Sequence, residues 1–245
     1  KANALKEVGR FREAAAEYTR ALEIFGERPE VPLHHGFILQ ALTLRGGVLG
    51  LLGKEEPELL DRAVGDYRRV LASKDTDGVD IEGSPRHTGV HFDLAGFLLL
   101  QNSFVEARKE YERVLEIGTP ITLVSAAHYY LGKISLQERK PSDAIASYGK
   151  AYDTIPSRDP KRYEVVAVEL ADILIEEKRF DEALQVVDRA LGDGAAGPAR
   201  RNLEYRRAKA LDRRGELDGC RAVLEAILRE DPAYVPALLT LGGIE

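Results

Sequence analysis

The sequence predicts an all-α fold in which helical hairpins stack into a solenoid, and three observations support this prediction. A pattern of small, aromatic and aliphatic residues recurs six times along the 245 residues. Its offsets of 0, 4, 7 and 8 trace one face of an α-helix. Each occurrence follows another apolar-periodic segment that usually ends at a turn, and no segment shows the alternation of a strand. A single hairpin cannot bury its apolar face, so neighbouring hairpins must stack.

The recurring pattern marks the second helix of each hairpin. A small residue leads each set, which allows another helix to approach closely. The six sets are Ala14/Tyr18/Ala21/Leu22, Ala63/Tyr67/Val70/Leu71, Ala107/Tyr111/Val114/Leu115, Ala144/Tyr148/Ala151/Tyr152, Ala183/Val187/Ala190/Leu191 and Cys220/Leu224/Ile227/Leu228.

Turn residues separate the two helices of each hairpin. Glycine and asparagine at these turns suit the left-handed residue that ends a helix. Ser142 and Asp181 are predicted as N-caps of two second helices, because their side-chain oxygens can accept bonds from the first backbone amides. The turns are predicted at Gly9-Arg10-Phe11, Gly53, Asn102-Ser103-Phe104, Lys140-Pro141, Lys178-Arg179-Phe180 and Gly215-Glu216-Leu217.

The hairpin pattern resembles the tetratricopeptide repeat, whose period is about 34 residues. Repeat four carries the resemblance best, with Leu131-Gly132, Ala144, Tyr148, Ala151 and Pro156. The resemblance covers nearly the whole chain and implies one right-handed superhelical solenoid of helix-turn-helix repeats. The implied repeats span about 1–30, 33–72, 88–118, 120–156, 160–193 and 198–232, followed by a truncated seventh first helix at 233–245. Because Lys1 also falls within the pattern, we expect the chain to be a piece of a longer one.

Two insertions lengthen the period. The first, residues 54–61, is expected to extend the first helix of repeat two, lengthen its turn or start its second helix early. The second, residues 73–87, is expected to be an acidic loop without a metal. Gly78 follows Asp77 directly, which does not fit the spacing of a calcium-binding loop.

Composition and motifs argue against several functional classes. A net charge of −6 and a pI near 5.6 disfavour general nucleic-acid binding. The most apolar stretch, residues 37–53, contains Gln40 and Arg45 and is shorter than the roughly 20 residues of a membrane span. One cysteine excludes a disulfide framework. We therefore predict no membrane span in this segment, no nucleic-acid partner and no cofactor.

The remaining candidates for metal-binding or catalytic residues are interpreted as structural residues. His87 and His91 are four residues apart but lack a third ligand, which favours a loop histidine and a packed one over a metal site. His128 is interpreted as a core histidine, and Cys220 as a small buried apolar residue. No nucleophile–base pair or phosphate-binding glycine loop is recognised, so the chain is predicted not to be an enzyme.

The resemblance also implies that the first helix of each repeat lines a concave surface. This surface would run from small and apolar to aromatic, acidic and then basic. A second interpretation is that several of these residues simply pack on neighbouring helices. The predicted partner-binding residues are Phe92, Leu99, Tyr129, Tyr130, Lys133, Leu136, Glu169, Asp172, Tyr205, Arg206 and Lys209.

The stretch from Arg200 to Arg214 is strongly basic. It is either a solvated helix with pairs inside the helix, or a cationic end of the groove that meets an acidic partner. A clamp for a C-terminal carboxylate, known in the resembled family, is not expected, because Gly47 and Gly96 hold two of the required positions.

These observations favour a non-catalytic scaffold that binds a peptide or helix of another protein in its concave groove. The alternative is a sensory or regulatory domain of a larger signalling or enzyme polypeptide. The identity of the partner and the oligomeric state stay open, as does the compartment, for which the cytoplasm is preferred.

Overall fold

The computed structural model describes residues 1–26, 32–73, 84, 87–154 and 160–243, and all their side chains except those of 25–26, 32–37 and 160–163. The described residues form thirteen α-helices and no strand, which confirms the all-α fold class. The helices are α1 (Ala2–Glu7), α2 (Phe11–Gly26), α3 (Pro32–Leu52), α4 (Glu58–Leu71), α5 (Thr88–Leu100), α6 (Phe104–Ile117), α7 (Ile121–Gln137), α8 (Pro141–Thr154), α9 (Pro160–Glu176), α10 (Phe180–Gly192), α11 (Gly197–Arg214), α12 (Leu217–Glu230) and α13 (Val235–Gly242).

The chain divides into two compact units. Unit 1 comprises Lys1–Ala127 and unit 2 comprises His128–Glu245. Within the units, contacts join helices that are neighbours along the chain, and they also join α3 to α5 and α9 to α11. The repeat boundaries assigned from the sequence remain a prediction.

The core is built by the recurring pattern of the second helices. Its leading small residues Ala63, Ala107, Ala144, Ala183 and Cys220 are fully buried. The aromatic residues four positions later are buried as well, including Tyr67, Tyr111 and Tyr148. The offsets in the sequence therefore identified the correct faces of these helices.

Glycines of two first helices make room for these tyrosine rings. A Cβ atom added to Gly132 would lie 2.8 Å from Cε1 of Tyr148, and one added to Gly46 would lie 2.5 Å from Cε2 of Tyr67. A side chain at either position would displace a buried ring, so these glycines allow the close packing of the two helices.

One backbone motif closes five of the described hairpin turns. The first or second residue after the first helix has a positive φ: 76° at Gly9, 59° at Asn102, 58° at Arg139, 61° at Lys178 and 86° at Gly215. Its amide donates to the carbonyl three residues back, and the next amide donates to the carbonyl five residues back, as in the Schellman motif. In the turn at Lys178, the Lys178 amide nitrogen lies 3.1 Å from its acceptor, and the next amide nitrogen lies 2.8 Å from its own acceptor.

The predicted side-chain N-caps are wrong. Ser142 and Asp181 lie inside α8 and α10, which begin at Pro141 and Phe180. The backbone carbonyls of Lys140 and Arg179 accept the first helical bonds, from Ala144 and Ala183, at 3.1 and 3.0 Å. The Schellman bonds fix these residues in place, so the second helix begins too early for the predicted caps.

The first insertion lengthens a turn and also starts the second helix early, since Ala63 is the sixth residue of α4 whereas Ala107 and Ala144 are the fourth residues of α6 and α8. Five residues separate α3 from α4, whereas three separate α5 from α6 and α7 from α8. Of the second insertion, residues 74–83 and 85–86 lie outside the described residues, as does Pro156 of repeat four.

Candidate protein-binding face

The predicted binding residues lie on four first helices. Phe92 and Leu99 belong to α5 in unit 1, and the other nine belong to unit 2. We call the part of unit 2 formed by the predicted residues of α7, α9 and α11 the first-helix face. Its members are Tyr129, Tyr130, Lys133 and Leu136 of α7, Glu169 and Asp172 of α9, and Tyr205, Arg206 and Lys209 of α11.

Glu169 joins two tyrosines on this face. The Tyr129 hydroxyl donates to its Oε1 at 2.8 Å, and the Tyr148 hydroxyl donates to its Oε2 at 2.9 Å. Burial raises the pKa of both tyrosines, and the neighbouring carboxylate raises it further. Both hydroxyls therefore remain protonated donors, and the carboxylate is fixed between them.

Aromatic contacts extend from Tyr129 along α7. The Tyr129 and Tyr130 ring centroids are 5.3 Å apart in an edge-to-face arrangement, and the Lys133 ammonium lies 5.5 Å from the Tyr129 centroid. Leu136, one turn further, is 39% exposed. The result is a half-buried aromatic surface flanked by an exposed cation and an exposed aliphatic side chain.

Asp172 is held by two cations of α11. Lys209 Nζ donates to Asp172 Oδ1 at 2.9 Å, and Arg206 donates to Oδ2 from Nη2 at 2.9 Å and from Nε at 3.2 Å. The acidic and basic ends predicted for the groove are therefore paired with each other. This outcome agrees in part with the interpretation that such residues contact neighbouring helices.

Tyr205 connects this face to α13. Its hydroxyl lies 3.1 Å from Thr240 Oγ1, and its ring centroid lies 5.9 Å from that of Tyr234. The Arg206 guanidinium lies 5.9 Å from the Tyr205 centroid, which restricts its orientation.

In unit 1, the candidate residues of α5 are half-buried. Phe92 packs edge-to-face on Tyr111, with centroids 5.5 Å apart. The Tyr67 hydroxyl donates to Asp93 Oδ2 at 3.1 Å. Tyr67 of α4 thus bonds to the first helix that follows it, as Tyr148 of α8 does in unit 2.

The basic helix α11 forms ion pairs mainly with other helices rather than within itself. Arg207 pairs with Asp188 of α10, Arg214 with Asp181 of α10, and Arg201 with Asp231 directly after α12. Within α11 or at its end, Glu204 pairs with Arg207 at 2.8 Å and Glu216 pairs with Arg214 at 2.6 Å. The interpretation based only on pairs inside the helix is therefore incomplete.

His91, His128 and Cys220 have structural surroundings. His91 is buried, and its Nδ1 lies 2.7 Å from Glu110 Oε2. Burial lowers the pKa of the half-buried His128, and Lys150 lowers it further. Burial raises the pKa of the fully buried Cys220 thiol. In the described part of the chain, no three His, Cys, Asp or Glu residues are grouped as metal ligands.

Residues 135–204 match the sequence model of the tetratricopeptide repeat family. Solved tetratricopeptide proteins also superimpose on most of the chain. The chain contains tetratricopeptide repeats. One solved member, the tetratricopeptide protein YrrB with an unusual peptide-binding site, has a TM-score of 0.59 and 16% identity. The match covers 92% of this chain and 98% of YrrB.

A relative in Pseudomonas aeruginosa is the type IV pilus assembly protein PilF. It is 30% identical over 161 residues, which make up 65% of this chain. The match spans 56% of the length of PilF. A solved PilF structure has a TM-score of 0.56 and 20% identity, covering 95% of this chain and 99% of that one.

The matched repeat and the solved structures support a general role. Tetratricopeptide proteins bind other proteins or peptides, which supports a protein-interaction scaffold in general. None of the described helices is long and apolar enough to cross a membrane.

Sequence reasoning missed one buried charge pair of the tetratricopeptide array. Arg45 of α3 donates to Asp66 of α4 from Nε at 2.8 Å and from Nη2 at 2.7 Å, and to Thr19 Oγ1 of α2 at 3.2 Å. The side chains of Arg45 and Asp66 are only 13% and 5% exposed. The sequence contained a signal for this pair. In repeat two the charged Arg45 precedes Gly46, whereas in repeat four the apolar Leu131 holds the matching position before Gly132.

Proposed function

We propose that this tetratricopeptide-repeat protein is a non-catalytic scaffold whose first-helix face in unit 2 binds a peptide or helix of another protein. The observation that supports the proposal most directly is the row of side chains that links α7, α9 and α11. The Tyr129–Glu169 bond and the Asp172 pairs with Arg206 and Lys209 fix these helices relative to each other within the unit. A partner would therefore meet side chains that are already ordered, which lowers the entropic cost of binding.

The two ends of the face would have different roles. Tyr129, Tyr130 and Leu136 would supply contact area, because aromatic anchors account for much of the energy of protein interfaces. Arg206 and Lys209 would orient an acidic stretch of the partner and speed its association. In unit 1, Phe92 and Leu99 would supply further apolar contacts.

The aromatic contribution is tested with a partner captured from the source organism and measured by surface-binding kinetics. Tyr129→Ala should speed dissociation about tenfold or more at any salt concentration, since the ring is lost. Tyr129→Phe is the matched control, because it keeps the ring and removes only the bond to Glu169. If Tyr129→Ala leaves dissociation unchanged, the first-helix face is not the binding surface.

The cationic contribution is tested with neutral substitutions, because glutamate at these positions would repel Asp172. Arg206→Gln with Lys209→Gln should slow association, and the effect should shrink as salt rises. The control is Arg221→Gln with Arg229→Gln, which removes the same charge from exposed positions of α12. An equal effect in both double variants would contradict a site on the first-helix face.

Similarity to PilF favours a more specific role, in which the bound partner is a component of a type IV pilus assembly system. Deletion of the gene in the source organism should then abolish pili, and Tyr129→Ala should fail to restore them. Normal piliation after deletion would eliminate this role and leave the general scaffold function open.

The alternative of a regulatory domain in a larger polypeptide remains a prediction, as does the preference for the cytoplasm. The absence of catalysis is likewise part of the proposal. It rests on the relatives being scaffold proteins and on the structural surroundings of His91, His128 and Cys220.

A further inference from the structure

Arg206 and Lys209 form a binding site for a carboxylate, which we call the receptor. The Asp172 carboxylate occupies this site. Each oxygen of Asp172 has its own cation, with Lys209 at 2.9 Å from Oδ1 and Arg206 at 2.9 Å from Oδ2. Charge-assisted bonds of this kind are among the stronger polar contacts in proteins. The receptor therefore has suitable geometry for an acidic side chain, whether the side chain comes from this chain or from another.

Arg206 is held in position by contacts other than Asp172. Arg206 lies over the Tyr205 ring, and its Nη1 donates to the carbonyl of Asn202 at 3.4 Å. Tyr205 is itself held by its contacts with Tyr234 and Thr240. Removing Asp172 would thus leave Arg206 near its present position.

Solvent reaches all three members of this cluster. The side chains of Arg206, Lys209 and Asp172 are 20%, 34% and 29% exposed. Partly exposed ion pairs are weak, because water and salt compete with them. An incoming carboxylate could therefore displace Asp172 without breaking into a core.

We propose that Arg206 and Lys209 bind a carboxylate side chain of the partner, and that Asp172 is an internal competitor that lowers this affinity. This inference rests on the proposed function of the first-helix face. Asp172 is tethered beside the receptor, so it acts at a high effective concentration. The apparent affinity for an external carboxylate is reduced by the fraction of receptors that Asp172 occupies.

The proposal predicts that removing a negative charge at position 172 improves binding of an acidic peptide. The probe is a fluorescein-labelled deca-glutamate peptide, followed by fluorescence polarisation at low salt. Asp172→Asn should bind it about two- to fivefold more tightly than the native protein, which corresponds to the loss of one weak ion-pair competitor. The gain should shrink as salt rises and should vanish in Asp172→Asn with Arg206→Gln.

Asp188→Asn is the matched control. It removes the same charge and also releases an arginine of α11, since Asp188 pairs with Arg207, but it lies on the second helix α10. Asp188→Asn should change the affinity for deca-glutamate less than twofold. An equal gain in both variants would show a general charge effect and overturn the proposal, as would an unchanged affinity in Asp172→Asn.

Failure of this inference is distinguishable from failure of the proposed function. If Tyr129→Ala weakens binding of the captured partner while Asp172→Asn leaves the affinity for deca-glutamate unchanged, only the role of Asp172 is wrong. If Tyr129→Ala has no effect on that partner, the first-helix face itself is not the binding surface.

Discussion

Three buried tyrosines of the second helices use their hydroxyl groups to bond to first helices. Tyr18 donates to Asn3 of α1 at 2.6 Å, in its own hairpin. Tyr67 and Tyr148 donate instead to Asp93 and Glu169 on the first helices that follow them in the chain. The ring fills the core while the hydroxyl reaches a polar partner, which is how buried tyrosine is normally accommodated. Tyr67 and Tyr148 therefore contribute both to packing and to the alignment of neighbouring hairpins.

These tyrosines should make the fold sensitive to alkaline pH. Burial raises the pKa of Tyr148. Its hydroxyl therefore stays protonated in the folded chain at pH values near 10, where the same hydroxyl begins to ionise in the unfolded chain. Stability from this group is therefore present below pH 10 and is lost as pH rises further. The free energy of unfolding of the native chain should fall by about 1.4 kcal/mol more between pH 8 and 11 than that of Tyr148→Phe. Urea titrations at both pH values measure the difference, and parallel curves would contradict the prediction.

At the scale of elements, the Schellman turns show that several residue types adopt the same left-handed backbone conformation. Two of the five left-handed positions hold glycine, and the others hold Asn102, Arg139 and Lys178. Residues with a Cβ atom are disfavoured in this conformation, arginine and lysine more than asparagine. The turns at Arg139 and Lys178 therefore carry a local cost that the packing of the hairpins overcomes.

Replacing Lys178 with glycine should stabilise the chain. The substitution relieves the left-handed conformation and is partly offset by the greater freedom of glycine in the unfolded chain, for a net gain of about 0.5–1 kcal/mol. Urea unfolding measures the change. Glu177→Gly is the control, since this neighbour does not have a positive φ, and it should destabilise the chain by a similar amount. A loss of stability in Lys178→Gly would contradict this account.

The Arg45–Asp66 pair is the element-scale feature with the largest expected energetic effect. Asp66→Ala would leave the Arg45 charge buried and should cost about 3–5 kcal/mol. Arg45→Leu combined with Asp66→Ala should recover most of this loss, because buried Leu94, Leu131 and Leu170 hold the matching position in repeats three to five. Chemical unfolding of the single and double variants tests the prediction. A double variant as unstable as Asp66→Ala alone would show that leucine does not fit between α3 and α4.

The sequence predicted the features that depend on helical periodicity. It did not predict the contacts between side chains of different helices. The faces of the second helices followed from the offsets between Ala144, Tyr148 and Ala151, because an α-helix fixes which residues share a face. That Asp172 meets Arg206 and Lys209 depends on how α9 and α11 are aligned, and no spacing within one helix specifies that alignment. The N-caps failed for a related reason: Ser142 has the right side chain, but the backbone of the preceding turn determines where α8 begins.

At the scale of the whole molecule, each hairpin depends mainly on its neighbours. The described contacts join helices close to each other along the chain, as expected for a repeat array. Stability in such arrays is approximately a sum of terms for single repeats and for the interfaces between neighbours. A substitution in one hairpin should therefore unfold its surroundings before it unfolds distant helices.

Tyr148→Ala tests this local dependence. Tyr148 is fully buried in the core of unit 2, so its truncation should cost about 3–5 kcal/mol. Because α3 and α4 have a separate core in unit 1 around Val48, Leu49 and Ala63, their amides should keep most of their protection from hydrogen exchange. Amides of α8, α9 and α10 should lose protection in the variant. Uniform loss of protection from α3 to α12 would instead show that the chain unfolds as one cooperative body.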